Sequence, residues 1–293
     1  NMKSFSNVLK EFEQNSLYIE KIIKFLNYEV KINDNQGSKP LEMNMGVIEF
    51  RNVSFRYTDE GDKILNNINL KISQGEKISL VGYNGAGKTT LVKLLLRLYE
   101  PTEGEILLNG INIREFKITQ YRKLFGTVFQ DYQLFSTSLL ENVVMDTCGI
   151  DELKVKSALE ASEFSGKLRE LSNGIYTQLG REFDNEGVNL SGGESQKVAL
   201  SRIFYKDSPV IVLDEPSSAL DPISEYKVNN AILNESAQKT VVLISHRLST
   251  TKMADKIYML ENGGIIEQGT HGQLMTLNGK YAHMFNLQTE KYR

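Results

Sequence analysis

The chain holds 293 residues, room for one large domain or two modest ones at about 100–200 residues each. Lys and Arg number 34 against 37 Asp and Glu, and the net charge of −3 argues against a protein built to coat nucleic acid. Hydrophobic residues at 40% and charged residues at 24% make an ordinary globular mixture. The single cysteine, Cys148, excludes a disulfide framework and a cysteine-ligated zinc site, and suits a reducing compartment. No run approaches the roughly 18 consecutive apolar residues of a membrane span. Asn1-Met2-Lys3-Ser4 lacks the apolar core of a signal peptide. A first residue other than Met points to a processed product or a fragment. Composition alone thus suggests a soluble, intracellular α/β protein.

In chain order, Phe5, Val8, Leu9, Phe12, Ile19, Ile22, Ile23 and Leu26 recur at helical spacing, with Lys10, Glu11, Glu13, Glu20, Lys21 and Lys24 filling much of the other face. Such an amphipathic helix packs either on the rest of this chain or on something outside it. Polar and turn-forming residues dominate 31–46, which reads as a linker. The divisions are therefore a helix over 1–30, a linker over 31–46 and a main domain over 47–293.

The main domain opens with β signals. Val47–Tyr57 and Ile64–Ile72 alternate apolar and polar residues, and Lys77–Gly82 is a short apolar run ending in glycine. A helical pattern follows over Lys88–Tyr99. Pro209–Leu213 and Thr240–Ile244 are β-branched apolar runs, each followed by a helical pattern. Buried strands alternating with helices predict a mostly parallel sheet covered on both faces. Between them, 132–208 is rich in helical patterns and reads as an inserted helical region.

Gly82-Tyr83-Asn84-Gly85-Ala86-Gly87-Lys88-Thr89 fits the phosphate-loop pattern G-x-x-x-x-G-K-[ST], placed between a strand and a helix as that loop requires. The glycines let backbone N–H groups curl around phosphate oxygens, and the helix N-terminus adds its positive end. Lys88 is expected to reach the β- and γ-phosphates, and the Thr89 hydroxyl to ligate Mg²⁺. Gly82, Asn84, Gly85, Ala86, Gly87, Lys88, Thr89 and the adjoining Thr90 are candidate nucleotide contacts. The run Val210–Leu213 ends in Asp214-Glu215, with Asp214 the candidate Mg²⁺ carboxylate and Glu215 the candidate general base.

Leu190-Ser191-Gly192-Gly193-Glu194 narrows the class. With it the sequence resembles the ATP-binding cassette (ABC) family, whose signature is L-S-G-G-Q; Glu194 stands where Gln is usual. Other motifs of that family fall in order: Gln130 in Val128-Phe129-Gln130-Asp131 matches the Q-loop, Ser218-Ala219-Leu220-Asp221 the D-loop, His246 in Ile244-Ser245-His246-Arg247 the switch histidine, and Tyr57 the adenine-stacking aromatic. The resemblance runs from about Val47 to the C-terminus. It implies a P-loop NTPase core with a mostly parallel sheet, an antiparallel β subdomain and an inserted α-helical subdomain. It also implies two cassettes closing head to tail around two ATP molecules, with Ser191, Gly192, Gly193 and Asp221 contributing across the interface. Gln130 would reach Mg²⁺ and the attacking water, and His246 the γ-phosphate.

The run Ser245-His246-Arg247-Leu248-Ser249-Thr250 and the stretch Leu134–Val143 resemble the exporter branch, of the bacterial half-transporter type. That branch carries its cassette behind membrane helices of the same polypeptide, at the cytoplasmic face of the cell membrane. The N-terminal helix then reads as the end of a membrane-domain helix. The resemblance implies a second nucleotide-binding domain as partner, in a homodimer or a paired half-transporter, and no nucleic acid. Two departures stand out: Glu194, whose charge weakens attraction for a facing phosphate, and Arg181–Gly187, longer than the usual run before the signature. A non-transport ABC ATPase would carry two cassettes or a long coiled coil between the loop and the signature, neither of which this sequence has. A P-loop kinase would need no signature at all.

Overall fold

Two sheets meet over one apolar layer because the chain supplies two kinds of strand. The computed structural model describes residues 2–27, 32, 37, 39–41, 46–146, 149–216, 220–235, 238–245 and 251–290. Alternating segments give strands β1 (Ile48–Phe55) and β2 (Leu65–Ile72), which pair antiparallel. With β4 (Glu103–Leu108) and β5 (Ile111–Asn112) they form a sheet of order β2-β1-β4-β5. Uniformly apolar runs give β3 (Lys77–Gly82), β7 (Val210–Asp214) and β8 (Thr240–Ile244). These join β6 (Phe125–Val128), β9 (Lys256–Glu261) and β10 (Gly264–Gly269) in the order β10-β9-β3-β8-β7-β6, parallel except for the antiparallel β9–β10 pair. The expected P-loop core with its antiparallel β subdomain is therefore present.

Helix α2 (Lys88–Leu95) lies in the apolar layer, with Leu91 and Leu95 in the same core as Phe50, Val212 and Leu260. It stops four residues short of the Lys88–Tyr99 pattern. Arg97 takes a left-handed φ of 52°, and its buried guanidinium donates to the carbonyls of Ile113 (3.1 Å) and Phe116 (2.9 Å). Strand β1 also departs from strict alternation. Phe50 and Val53 are both buried although an odd spacing separates them, because the register shifts between them and Asn52 adopts φ 49°.

The helical region has a core of its own, built from Leu139 and Val143 of α4 (Leu139–Val144), Val155 and Leu159 of α5 (Glu152–Ala161), and Phe164 just before α6 (Ser165–Glu170). Helix α7 (Gly192–Lys206) joins that core to the sheet. Val198 packs into the helical region, while Ala199, Leu200 and Ile203 pack with Val128, Ile211 and Leu213 beneath β6 and β7. Helix α8 (Pro222–Glu235) follows β7, and two helices, His271–Leu277 and Lys280–Glu290, close the chain.

The N-terminal helix α1 (Met2–Leu26) forms as its period requires, yet Phe12, Ile19 and Ile22 are 75, 55 and 56% exposed. The reading in which this stripe packs on the chain's own domain does not hold. No helix among the described residues is long and apolar enough to cross a membrane. The linker is held at described positions: Lys39 bridges to Phe116, its N–H donates to the Glu115 carbonyl (3.0 Å), and its ammonium pairs with the Glu115 carboxylate (2.6 Å).

Arg97→Met should lower unfolding stability by about 2–4 kcal/mol, since it strands buried carbonyls that charged donors now satisfy. Urea denaturation should show a lower midpoint with an unchanged slope. A midpoint equal to that of the unaltered protein would contradict this role.

Candidate nucleotide site

The site begins where β3 runs out of pairing partners. Gly85 (φ 79°) and Gly87 (φ 102°) turn the chain through left-handed conformations, and a Cβ on Gly87 would lie 2.6 Å from Leu65 Cδ2. Only glycine fits there, and the loop's N–H groups then open α2. Lys88 is buried, and its ammonium donates back to the carbonyls of Gly82 (2.8 Å) and Tyr83 (3.0 Å). Burial pushes its pKa down, against the charges of Glu215 and Asp214, which raise it.

A cavity of about 680 Å³ opens beside this loop, inside the range of roughly 300–1,000 Å³ usual for ligand pockets. Asn84, Gly85, Ala86, Gly87, Lys88, Thr89 and Thr90 line one side; Gln130, Asp214, Glu215 and Ile244 line the other. The Thr89 hydroxyl donates to Asp214 Oδ2 at 2.8 Å across 125 positions of sequence. Glu215 follows in a left-handed conformation (φ 51°), with its N–H on the Ile244 carbonyl (2.9 Å). A glutamate held there carries about 1–2 kcal/mol of backbone strain, the kind of local cost that gathers at functional turns.

The aromatic Tyr57 is half exposed, and its hydroxyl meets Thr90 Oγ1 at 3.1 Å. The rings of Phe55 (4.9 Å, 83°) and Tyr99 (5.1 Å, 88°) stand edge-on to it. Sequence reasoning missed Tyr99, because one more aromatic at the end of a helical pattern carries no signal of its own. Ile64, read as the start of a strand, lies just before β2 and lines the cavity instead.

Other candidates sit elsewhere. Ser191, Gly192 and Gly193 begin α7 and do not line the cavity. Asp221 is exposed and accepts from the N–H groups of Ile223 (3.0 Å) and Ser224 (3.1 Å) at the start of α8. His246, Ser218 and Ala219, like Arg247–Thr250 and Cys148, lie outside the described residues. Among the described residues no cluster of three or more His, Cys, Asp or Glu could hold a metal, so any ion here would rest on few protein oxygens.

Glu194 is turned to its own helix. Ser191 Oγ accepts from the Glu194 N–H (3.3 Å) and the Glu194 carboxylate accepts from the Ser191 N–H (2.8 Å), a reciprocal cap. Lys167 of α6 stands 3.5 Å from that carboxylate. Partial burial pushes the Glu194 pKa up, but the Ser191 bonds and the Lys167 charge prevail and hold it below the ordinary range. The Glu194 charge thus has a cation of the same chain beside it. Sequence reading missed Lys167, which belongs to a different helix from the signature. The long run before the signature is also closed on itself, with Arg181 Nε on the Gly187 carbonyl (3.0 Å) and Glu182 bonded to the Ser136 hydroxyl, leaving Phe183 89% exposed.

A strand-loop-helix cradle, a hydroxyl–carboxylate pair and a strained glutamate around one cavity define a P-loop nucleotide-binding protein. Comparison with known proteins narrows this. The family model described as ABC transporter matches residues 65–218, more than half of the chain. The chain is 39% identical over 270 residues to an ATP-dependent lipid A-core flippase of Coxiella burnetii, covering 92% of this chain and 45% of that protein. It is 37% identical over 267 residues to a putative multidrug export ATP-binding/permease protein of Staphylococcus aureus, covering 91% and 46%. A solved bacterial Atm1-family ABC exporter with ATP bound superposes with a TM-score of 0.86 at 30% identity, over 96% of this chain and 49% of that one. The chain belongs to the ABC transporter family and carries its ATPase domain. It spans about half the length of the relatives it matches.

Because the folded pKa of Glu194 is depressed, its contribution to stability is present above the ordinary carboxylate value of 4.5 and is lost as pH falls through the folded value. Glu194→Gln keeps a capping side chain but cannot titrate. Its stability curve should be flatter than that of the unaltered protein below about pH 4.5. Equal slopes in chemical denaturation across that range would refute the capping account.

Proposed function

We propose that this chain is the nucleotide-binding domain of an ABC exporter, hydrolysing ATP to drive substrate across a membrane as one of two domains closed head to tail on two nucleotides. One observation carries this reading: Lys88, Thr89, Gln130, Asp214 and Glu215, drawn from three separate segments, line a single cavity. The signature Ser191-Gly192-Gly193 lies outside that cavity, so a single chain holds an incomplete set of phosphate contacts.

ATP fits the cradle. The backbone N–H groups of Gly85–Thr89 and the Lys88 ammonium suit phosphate oxygens, and the half-exposed face of Tyr57 offers a platform for the base. Thr89 and Asp214 supply hard oxygens already within hydrogen-bond reach of each other, the donor set that Mg²⁺ prefers alongside phosphate. When bound there, Mg²⁺ neutralises charge on the phosphates. Lys88 exchanges its two loop carbonyls for phosphate oxygens. Glu215 takes a proton from the attacking water, and Gln130 and His246 orient that water. Ser191 and the N–H groups of Gly192 and Gly193 meet the phosphate held by the partner, at a helix end that favours anions.

The domain sits at the cytoplasmic face of a membrane, and α1 continues a helix of the membrane domain. The exposed apolar stripe of α1 supports this, as do relatives whose printed names include a flippase and an export permease.

Glu215→Gln should leave ATP binding intact and lower turnover by about 10²–10⁴-fold, the usual weight of a general base. Normal turnover in a phosphate-release assay would remove Glu215 from that role. Lys88→Ala should abolish ATP binding by calorimetry, and unchanged affinity would contradict the cradle.

A further inference from the structure

The segment that follows Gln130 is splinted to α7 at two points. The Tyr132 hydroxyl donates to the Gly192 carbonyl at 3.0 Å, in the first turn of α7. One residue on, the Gln133 carbonyl accepts from Arg202 Nη2 at 2.8 Å. Arg202 also donates through Nε to the Asn142 carbonyl (2.8 Å), which fixes the guanidinium. Positions 192 and 202 lie about 15 Å apart along a helix rising 1.5 Å per residue. Two contacts that engage α7 at residues ten positions apart hold the segment in position and in orientation.

The upstream end of this splint lies in the nucleotide cavity, which Gln130 lines. Its downstream end is the backbone of the signature turn. The Tyr132 ring packs, partly buried, against the core shared by Val128, Ala199 and Leu200, and burial raises its pKa, so the hydroxyl stays a donor. A third bond runs from Gln196 Nε2 to the Glu215 carbonyl at 3.4 Å, linking α7 to the other wall of the cavity.

We infer that Tyr132 is a positioning residue that ties the Gln130 side of a chain's own nucleotide site to the Gly192 carbonyl of the signature it presents to a partner. This rests on the paired-domain reading above. Occupancy of one site then sets the pose of the surface that completes the other, and the coupling acts in both directions. The link is a discrete contact between packed elements, so removing one hydroxyl tests it.

Tyr132→Phe keeps the ring and loses only the donor. In the full chain, ATP affinity measured at low protein concentration should stay within about twofold of the unaltered protein. The maximal hydrolysis rate at high protein concentration should also stay within about twofold. The protein concentration giving half-maximal hydrolysis should rise about fivefold, the weight of one neutral hydrogen bond. Weaker ATP affinity and a lower maximal rate, together with a lower melting temperature, would instead mark a general folding defect and overturn the positioning role. If the unaltered protein depends on concentration and Tyr132→Phe depends on it identically, the link is overturned while the paired reading stands. Hydrolysis independent of concentration in the unaltered protein overturns both.

Discussion

A 2.8 Å hydrogen bond from the Thr89 hydroxyl to Asp214 joins the two halves of the nucleotide cavity, and the strand order exists to allow it. The loop leaves β3 and the carboxylate leaves β7, with β8 between them in the sheet. All three run parallel, so their C-terminal ends open on one side. A one-residue slip in either pairing would turn Asp214 to the opposite face. Val210 and Val212 pack with α2 on one face and Ile211 and Leu213 with α7 on the other, and this division of partners holds the register. Core packing and site chemistry are therefore one constraint: the apolar run that buries β7 also delivers its terminal carboxylate.

Much of this was legible in the sequence. The phosphate loop announces itself because its chemistry needs consecutive local residues, and the runs Lys77–Gly82 and Thr240–Ile244 coincide with β3 and β8. Features requiring distant partners were not legible. The end of α2 depends on Arg97 finding carbonyls at Ile113 and Phe116, which no periodicity within Lys88–Tyr99 encodes. The bulge at Asn52 hides inside an apparently regular alternation. Glu194 looked like a misplaced charge because the cation that pairs with its carboxylate, Lys167, lies 27 residues away and reaches it only through the fold. Tyr132 carried no signal, since a tyrosine after a glutamine is ordinary until its hydroxyl is seen on Gly192.

Helix α7 serves two cores and a motif at once. One face closes the core of the helical region, another closes the sheet beneath β6 and β7, and its first turn carries the signature. The reciprocal cap between Ser191 and Glu194 fixes the backbone of that turn from within the chain. An anion site organised in advance binds without first ordering its own backbone, which favours fast and repeated closure over slow, tight capture. The strained Glu215 turn is the complementary case, a local cost held in place by β7 and the Ile244 carbonyl.

The pairing of Lys39 with Glu115 and Phe116 bears on how force would leave the domain. A tether free up to Gly46 would hold about seven more residues of slack, or roughly 25 Å of extended chain. Fastening the chain at Lys39 removes that compliance. A displacement of the domain would then reach α1 within a short travel, as through a taut strap, instead of being absorbed in uncoiling. Among the described residues, the Lys39 pairing, its exposed ion pair and the Leu41 side chain packed against the core all contribute to that stiffness. Ionic strength, which weakens exposed ion pairs, would relax this fastening while leaving the nucleotide cavity as it is.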